Sequence, residues 1–537
     1  MIRLGSVKEK LLSRIFSRHS WFAGLLDLPG YPVKRGDAGV ILIQVDGLSL
    51  NQLQKALAAE RMPFLSGLLS ADSHVLTPCY SGIPSTTPAF QGELFFGVKS
   101  CVPAFEFYDR EDGEHKAMFH PTDAAEVSAR LEKKSEGLLA GGTAYSNIFA
   151  GGADEARYCA DRVTLESLLT AVNPFKMLFI LMFHIGKLIR IAAYSMLESV
   201  LAVTDFFRSI ITSRHIRKEL TFILARIFAC IGLRELIRFR VKMDIARGVP
   251  VISANLIGYD EQAHRRGPGS RFAHWTLRGI DDVIRDIYET AVKAEGCGYR
   301  FIVYSDHGQE EVVSYADRFG KSVRHTVQEV YAENKAALSG KKMKNPDKSS
   351  DYLYYRSRKF VFPGIGFIRK KEGIPVHVEV TTMGPFGHVY LFGDMSEEKR
   401  SVFARNLVEK AGIPLVLYKH EQGIAAVNTT GVWDLEKERA HVLKEGHPFA
   451  DQVVRDLASV LDHPDAGELV ISGWSTKNFP LTFSIENGAH GGIGSEETRG
   501  FVLLPREWES DAPFLRALDI RELVMAYMKT EKQKRNY

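Results

Sequence analysis

The chain has few cysteines for its length, and they are scattered. Its 537 residues include five cysteines, Cys79, Cys101, Cys159, Cys230 and Cys297, with no Cys-x-x-Cys pair among them. An odd number at wide spacing excludes a disulfide framework and a thiolate zinc site, and leaves ordinary packing as their role. No tract of about 18 to 20 uncharged apolar residues occurs, which excludes a conventional transmembrane helix. The first thirty residues lack an uninterrupted apolar core and a small-residue cleavage site, so no secretory leader is expected and a cytoplasmic or peripheral-membrane location is. Low-complexity tracts and internal repeats are also absent.

What is present is the composition of a folded protein, 45% hydrophobic and 25% charged, with a net charge of only +4. A chain of this length can bury one large core with insertions, or two. The charge is not evenly spread. Residues 171–247 hold 13 Lys and Arg against 5 Asp and Glu, a net of +8, so the rest of the chain sums to −4. The same segment is dense in Leu, Ile and Phe. Its charges, among them Lys176, Lys187, Arg190, Arg226 and Arg234, interrupt each apolar stretch. That pattern predicts basic amphipathic helices, which can pack as a cap or lie on an anionic membrane surface. Nucleic-acid binding fits poorly, because the basic residues are interleaved with long apolar faces.

The remaining pattern alternates strand-like runs with amphipathic stretches. Gly39–Val45 is an almost unbroken apolar run, as in a strand covered on both faces, and it ends at Asp46-Gly47. A helix is expected over Leu53–Leu69. Further strands are expected at Val249–Leu256, Phe301–Tyr304, Glu468–Ser472 and Gly500–Leu504, with helices at Trp275–Val292 and Glu397–Ala411. Short strands at Tyr352–Tyr355, His377–Val380, His388–Phe392 and Leu415–Tyr418 suggest a smaller α+β unit. The expected division is an appendage at 1–37, core at 38–170, a basic helical insert at 171–247, core at 248–320, the smaller α+β subdomain at 321–445, and core again at 446–537. The fold class is α/β: a doubly wound, mostly parallel sheet with a helical insert.

Chemistry gathers where these strands end. Phe301–Tyr304 runs into Ser305-Asp306-His307-Gly308, placing two metal-competent side chains at a carboxyl edge. Asp260 and His264 stand four apart, one helical turn, which can bring both to one metal. His490 lies between Ala489 and Gly491-Gly492 in a loop. Ser85-Thr86-Thr87 precede Pro88, so a hydroxyl is expected at the positive end of a helix. Each feature alone has a plainer meaning: a polar turn, an N-cap, a surface histidine. As a set, Asp and His donors without cysteine suit divalent metal ions, zinc best.

In order and broad spacing, Asp46-Gly47, Thr86-Thr87-Pro88, Asp260 to His264, Asp306-His307-Gly308 and His490-Gly491 resemble the motifs of the alkaline phosphatase superfamily, most closely its type I phosphodiesterase/nucleotide pyrophosphatase branch. The resemblance covers residues 39–97, 249–310 and 467–505. It implies an alkaline-phosphatase-like fold and two zinc ions. Asp260, His264 and His490 would hold one ion; Asp46, Asp306 and His307 would hold the other, with Thr86 Oγ1 directed toward it as nucleophile. It further implies hydrolysis of a phosphodiester or pyrophosphate bond in a nucleotide or lipid-like substrate, through a covalent phospho-threonine. Phosphomonoester hydrolysis or phosphoryl transfer is the alternative, and a membrane-associated protein without catalysis the third reading. Ala263 stands before His264 where the family carries Gly, and Asn147 and Asn255 are the candidates for holding a phosphoryl oxygen. The absence of a Cys-x-Pro-x-Arg stretch disfavours a sulfatase.

Overall fold

In the computed structural model, the described residues are 23, 30–31, 37–163, 231–294, 297–339, 378–393 and 395–535. Most of the expected appendage at 1–37, most of the basic insert and the strand expected at Tyr352–Tyr355 lie outside them.

An eight-stranded sheet forms the centre, in the order Leu515–Arg516, His74–Tyr80, Arg499–Pro505, Cys297–Tyr304, Asp37–Val45, Val251–Leu256, Thr143–Tyr145, Glu155–Arg157. All neighbours run parallel except Arg499–Pro505, which opposes both of its partners. The strand Asp37–Val45 is central because it can be buried twice over. Ile41, Ile43 and Val45 pack on one side with the helices Arg234–Arg247 and Arg271–Val292. Val40 and Leu42 pack on the other with Thr87–Phe96, Pro121–Glu132 and Ala517–Arg535. Alternate residues of one strand thus feed two apolar layers, the doubly wound arrangement expected.

A second, six-stranded antiparallel sheet has the order Val378–Met383, Phe386–Leu391, Leu469–Ser472, Leu415–His420, Gly423–Asn428, Gly431–Asp434. It takes Leu469–Ser472, and the packing of helix Ala450–Leu461, from beyond the 321–445 span expected for it.

One local expectation is corrected. Leu53–Leu69 is not one helix but two, Leu50–Ala58 and Pro63–Ser70. Glu60 turns left-handed at φ 53°, and Pro63 opens the second helix where its missing N–H is harmless. In the 98–170 stretch, which carries no readable motif, Thr143–Tyr145 and Glu155–Arg157 extend the central sheet. Of the basic insert, Arg234–Arg247 is described. Ile237, Val241 and Ile245 sit in the core, and Arg238 pairs with Asp286 of the neighbouring helix. Among the described residues no helix is long and apolar enough to cross a membrane.

Candidate metal centre and its flanking hydroxyl

The carboxyl ends of three adjacent parallel strands deliver the acidic residues. Asp46 follows Asp37–Val45, Asp306 follows Cys297–Tyr304, and the helix Gly258–Arg266, which carries Asp260 and His264, follows Val251–Leu256. Close approach of these ends depends on Gly47. At φ 72° it has no side chain, and a Cβ there would lie 2.5 Å from Asp260 Oδ1.

Asp46, Asp306 and His307 form one compact group, with a donor atom from each within 4.8 Å of the others. His307 Nε2 is 3.3 Å from Asp306 Oδ2 and 3.6 Å from Asp46 Oδ1. A second such group is Asp260, His307 and His490. His307 is therefore shared: its ring stacks on that of His490 at 3.7 Å between centroids and 15° between planes. His264 joins through Asp260, with Nε2 3.3 Å from Asp260 Oδ2 and its ring 4.9 Å from that of His490. His490 Nε2 is 3.8 Å from Asp260 Oδ1. The six Asp and His residues singled out in the sequence are thus brought together. The two compact groups share His307, and His264 adds to the second through Asp260.

The three imidazoles are oriented alike. Nδ1–H of His307 donates to the Gly308 carbonyl (2.9 Å), that of His264 to the Gly488 carbonyl (3.0 Å), and that of His490 to the Ser85 carbonyl (3.0 Å). A carbonyl can only accept, so each ring presents Nε2 toward the carboxylates. Neutral imidazoles in that tautomer would point lone pairs at negative oxygens. The arrangement calls for cations between them, whether protons or metal ions.

The carboxyls respond to burial and to one another. Asp46 is held well above the ordinary carboxylate range by desolvation, then by Asp306 and Asp260, against the Asn255 hydrogen bond. Desolvation likewise raises Asp306, with His307 opposing it. Asp260 goes the other way. Burial alone would raise it, but His264, His490 and His307 hold it well below the usual value.

The nucleophile candidate lies beside this cluster. Thr86 is the N-cap of the wholly buried helix Thr87–Phe96, yet its hydroxyl makes no capping bond and has no hydrogen-bond partner among the described residues. A buried hydroxyl without a partner is uncommon, and it departs from the plain N-cap reading. Its neighbours reach the histidines: Thr87 Oγ1 lies 3.2 Å from His307 Nε2, and the Ser85 carbonyl takes the His490 proton. A buried hydroxyl of this kind beside an Asp and His donor set without sulfur fits divalent metal ions.

Several contributors have little sequence signal. Asn255 donates to Asp46 Oδ2 at 2.7 Å, Gln309 to Asp260 Oδ1 at 2.5 Å, and Glu486 faces His264 Nδ1 at 3.0 Å. A polar residue inside the apolar run Val249–Leu256 was the available cue for Asn255, though not for this role. Asn147 is engaged elsewhere, with Ser253 at 3.2 Å and Gln91 at 3.5 Å. Each amide NH2 thus has one of its two donor hydrogens engaged, Asn255 with Asp46 and Asn147 with Ser253.

Fold and site together define an α/β protein with a metal-competent cluster at the carboxyl edge of a mostly parallel sheet. No protein-family model and no curated protein matches the chain. Solved structures similar to it include phosphonoacetate hydrolase from Sinorhizobium meliloti in complex with phosphonoformate, at 12% identity and TM-score 0.45, covering 93% of this chain and 100% of that one. Murine ectonucleotide pyrophosphatase/phosphodiesterase 5, in an inactive form with AMP, aligns at 11% identity and TM-score 0.44, covering 92% and 95%. The human protein of that name aligns at 11% and 0.46, covering 91% and 95%.

Proposed function

We propose that the protein is a two-zinc hydrolase of phosphodiester or pyrophosphate bonds, with Thr86 as nucleophile. The observation that carries this reading is the Thr86 hydroxyl, without a hydrogen-bond partner among the described residues, at a helix N-terminus between Ser85 and Thr87, which contact His490 and His307. Asp46, Asp306 and His307 would hold one ion, and Asp260, His264 and His490 the other. When bound, two such ions lower the pKa of a neighbouring hydroxyl and offset charge on entering and leaving oxygens. Their four positive charges exceed the three negative charges of Asp46, Asp260 and Asp306, which favours an anionic phosphoryl group.

The residues do the rest. The N-terminus of Thr87–Phe96 directs its dipole at the position of Thr86, stabilising negative charge there. Thr86 Oγ1 forms a bond to phosphorus as the bond to the leaving oxygen breaks, and the hydroxyl proton passes to the departing oxygen. Water then displaces Thr86, returning its hydroxyl and releasing the phosphate product. The substrate is a phosphate ester of nucleotide or lipid-like type, and the basic segment 171–247 brings the enzyme to an anionic membrane surface.

Thr86→Ala should lower hydrolysis of an aryl phosphodiester by roughly 10³-fold or more while leaving metal content intact. Full activity in a clean Thr86→Ala preparation would sink the nucleophile assignment. A matched monoester, assayed with the same metal, separates this reading from a phosphomonoesterase.

A further inference from the structure

His490 reaches the cluster on a loop that glycine makes pliable. Gly491 has φ 114°, and Gly492 and Gly494 follow closely. Such a backbone has many accessible conformations, so the ring's position must be imposed from outside the loop. The side chain of Glu497 is placed to do this. It is 1% exposed, its Oε2 accepts from Gly492 N at 2.8 Å, and its Oε1 accepts from Gly494 N at 2.7 Å. Ser85 Oγ lies 3.4 Å from the same carboxyl, accepts from Gly491 N at 3.1 Å and meets the Gly492 carbonyl at 3.0 Å. The Ser85 carbonyl then takes the Nδ1 proton of His490. One carboxyl therefore ties the histidine loop to the segment that carries Thr86.

The main chain of the same residue extends the tie. The Glu497 carbonyl accepts from Gly308 N at 2.9 Å, next to His307. That contact is close enough to require glycine, since a Cβ on Gly308 would lie 2.1 Å from Glu496 O. Both oxygens of a carboxyl accept hydrogen bonds in either protonation state. A glutamine offers one accepting oxygen and turns an NH2 group toward the second backbone N–H.

We infer that Glu497 is a positioning residue, which through Gly492, Gly494 and Ser85 fixes His490 and so sets the affinity of the Asp260–His264–His490 half of the centre. This rests on the metal reading given under Proposed function. The half formed by Asp46, Asp306 and His307 is oriented by Asn255 and the Gly308 carbonyl, and does not depend on the Glu497 side chain.

The test is a zinc titration of the metal-free protein against a chromophoric chelator. His490→Ala identifies the binding step that belongs to the His490 half. Glu497→Gln should weaken that step by about 10- to 100-fold and leave the other within about threefold. Ser85→Ala, which removes a hydroxyl without stranding a buried charge, should weaken the same step to a smaller extent and decides the matter if Glu497→Gln does not fold. Val416→Ala, in the core of the second sheet, is a control expected to lower Tm and move neither step. Wild-type affinities in both Glu497→Gln and Ser85→Ala overturn the positioning role, as does equal weakening of both steps. A wild-type protein that binds no zinc instead overturns the metal reading, and the positioning role with it.

Discussion

At the scale of single residues, the centre confines more acid than its surroundings can neutralise. Behind the ligand cluster, burial and then Glu310 push the Glu497 carboxyl up to about 8. Glu310 itself, raised chiefly by burial, lies at about 7, against an ordinary value of 4.5. In the folded protein these two groups keep protons that the unfolded chain has already released. Their contribution to stability is fully present below about pH 4.5 and is lost as pH rises through 7 to 8. Each group removes up to roughly 1.4 kcal/mol per pH unit inside that window. Asp46 and Asp306, raised as well, act in the same direction while metal is absent. In metal-free protein these carboxyls therefore lower stability from pH 5 to pH 8, against the opposite contribution of His74, His274, His388, His447 and His463, whose pKa values burial lowers, and urea denaturation reads the sum. Glu310→Gln, which keeps an oxygen for the Glu496 N–H, should flatten the decline. Superimposable pH profiles for wild type and Glu310→Gln would show that the Glu310 carboxyl is ionised in the folded state.

At the scale of elements, the amphipathic helix Arg271–Val292 links packing to the site. Its apolar face, with Leu277, Ile280, Val283, Ile284 and Ile287, lies in the core that supports the strand ends. Its buried Asp281 also accepts from Phe64 N at 2.8 Å and Leu65 N at 3.0 Å. These are first-turn donors of Pro63–Ser70, whose own N-cap, Met62, provides no acceptor. Asp281→Ala should cost about 1–3 kcal/mol in global stability and leave zinc affinity unchanged, because no ligand sits on either helix. Thermal melts paired with the zinc titration check both halves of that statement. The period of the apolar residues made this helix readable in sequence, as it did the strand Asp37–Val45. The three-residue strands Thr143–Tyr145 and Glu155–Arg157 are too short to carry a period. Leu469–Ser472 reads as a strand, but which sheet it joins is decided by partners such as His388 and Leu417, far away in the chain. The site divides in the same way. Asp46, Asp306 and His307 are visible because a polar residue ends an apolar run. Glu486, Gln309 and Glu497 are not, because their partners come from segments as distant as Ser85 and His264.

At the scale of the whole molecule, the charge is unevenly distributed. Outside 171–247 the chain carries −4, yet the +8 of that segment makes the total +4. Its last helix, Arg234–Arg247, returns to the core through Ile237, Val241 and Ile245, and Arg247 is fixed by Asp244 and Glu155. That end therefore contributes to the fold as well as to charge, and a deletion that included it would confuse the two roles. The informative deletion is 171–230, joined by a short Gly-Ser linker. Full-length protein should cofloat with vesicles containing a fifth phosphatidylserine, less so as salt rises, because attraction to an anionic surface weakens as the Debye length falls from about 10 Å at 0.1 M to about 3 Å at 1 M. The deleted form should float markedly less while still hydrolysing a soluble aryl phosphodiester, since the ligands and Thr86 lie outside the deleted span. Equal flotation of the two forms would remove the segment from membrane contact and leave its apolar residues to a packing role. Loss of soluble-substrate turnover alongside flotation would instead make the segment part of the catalytic body.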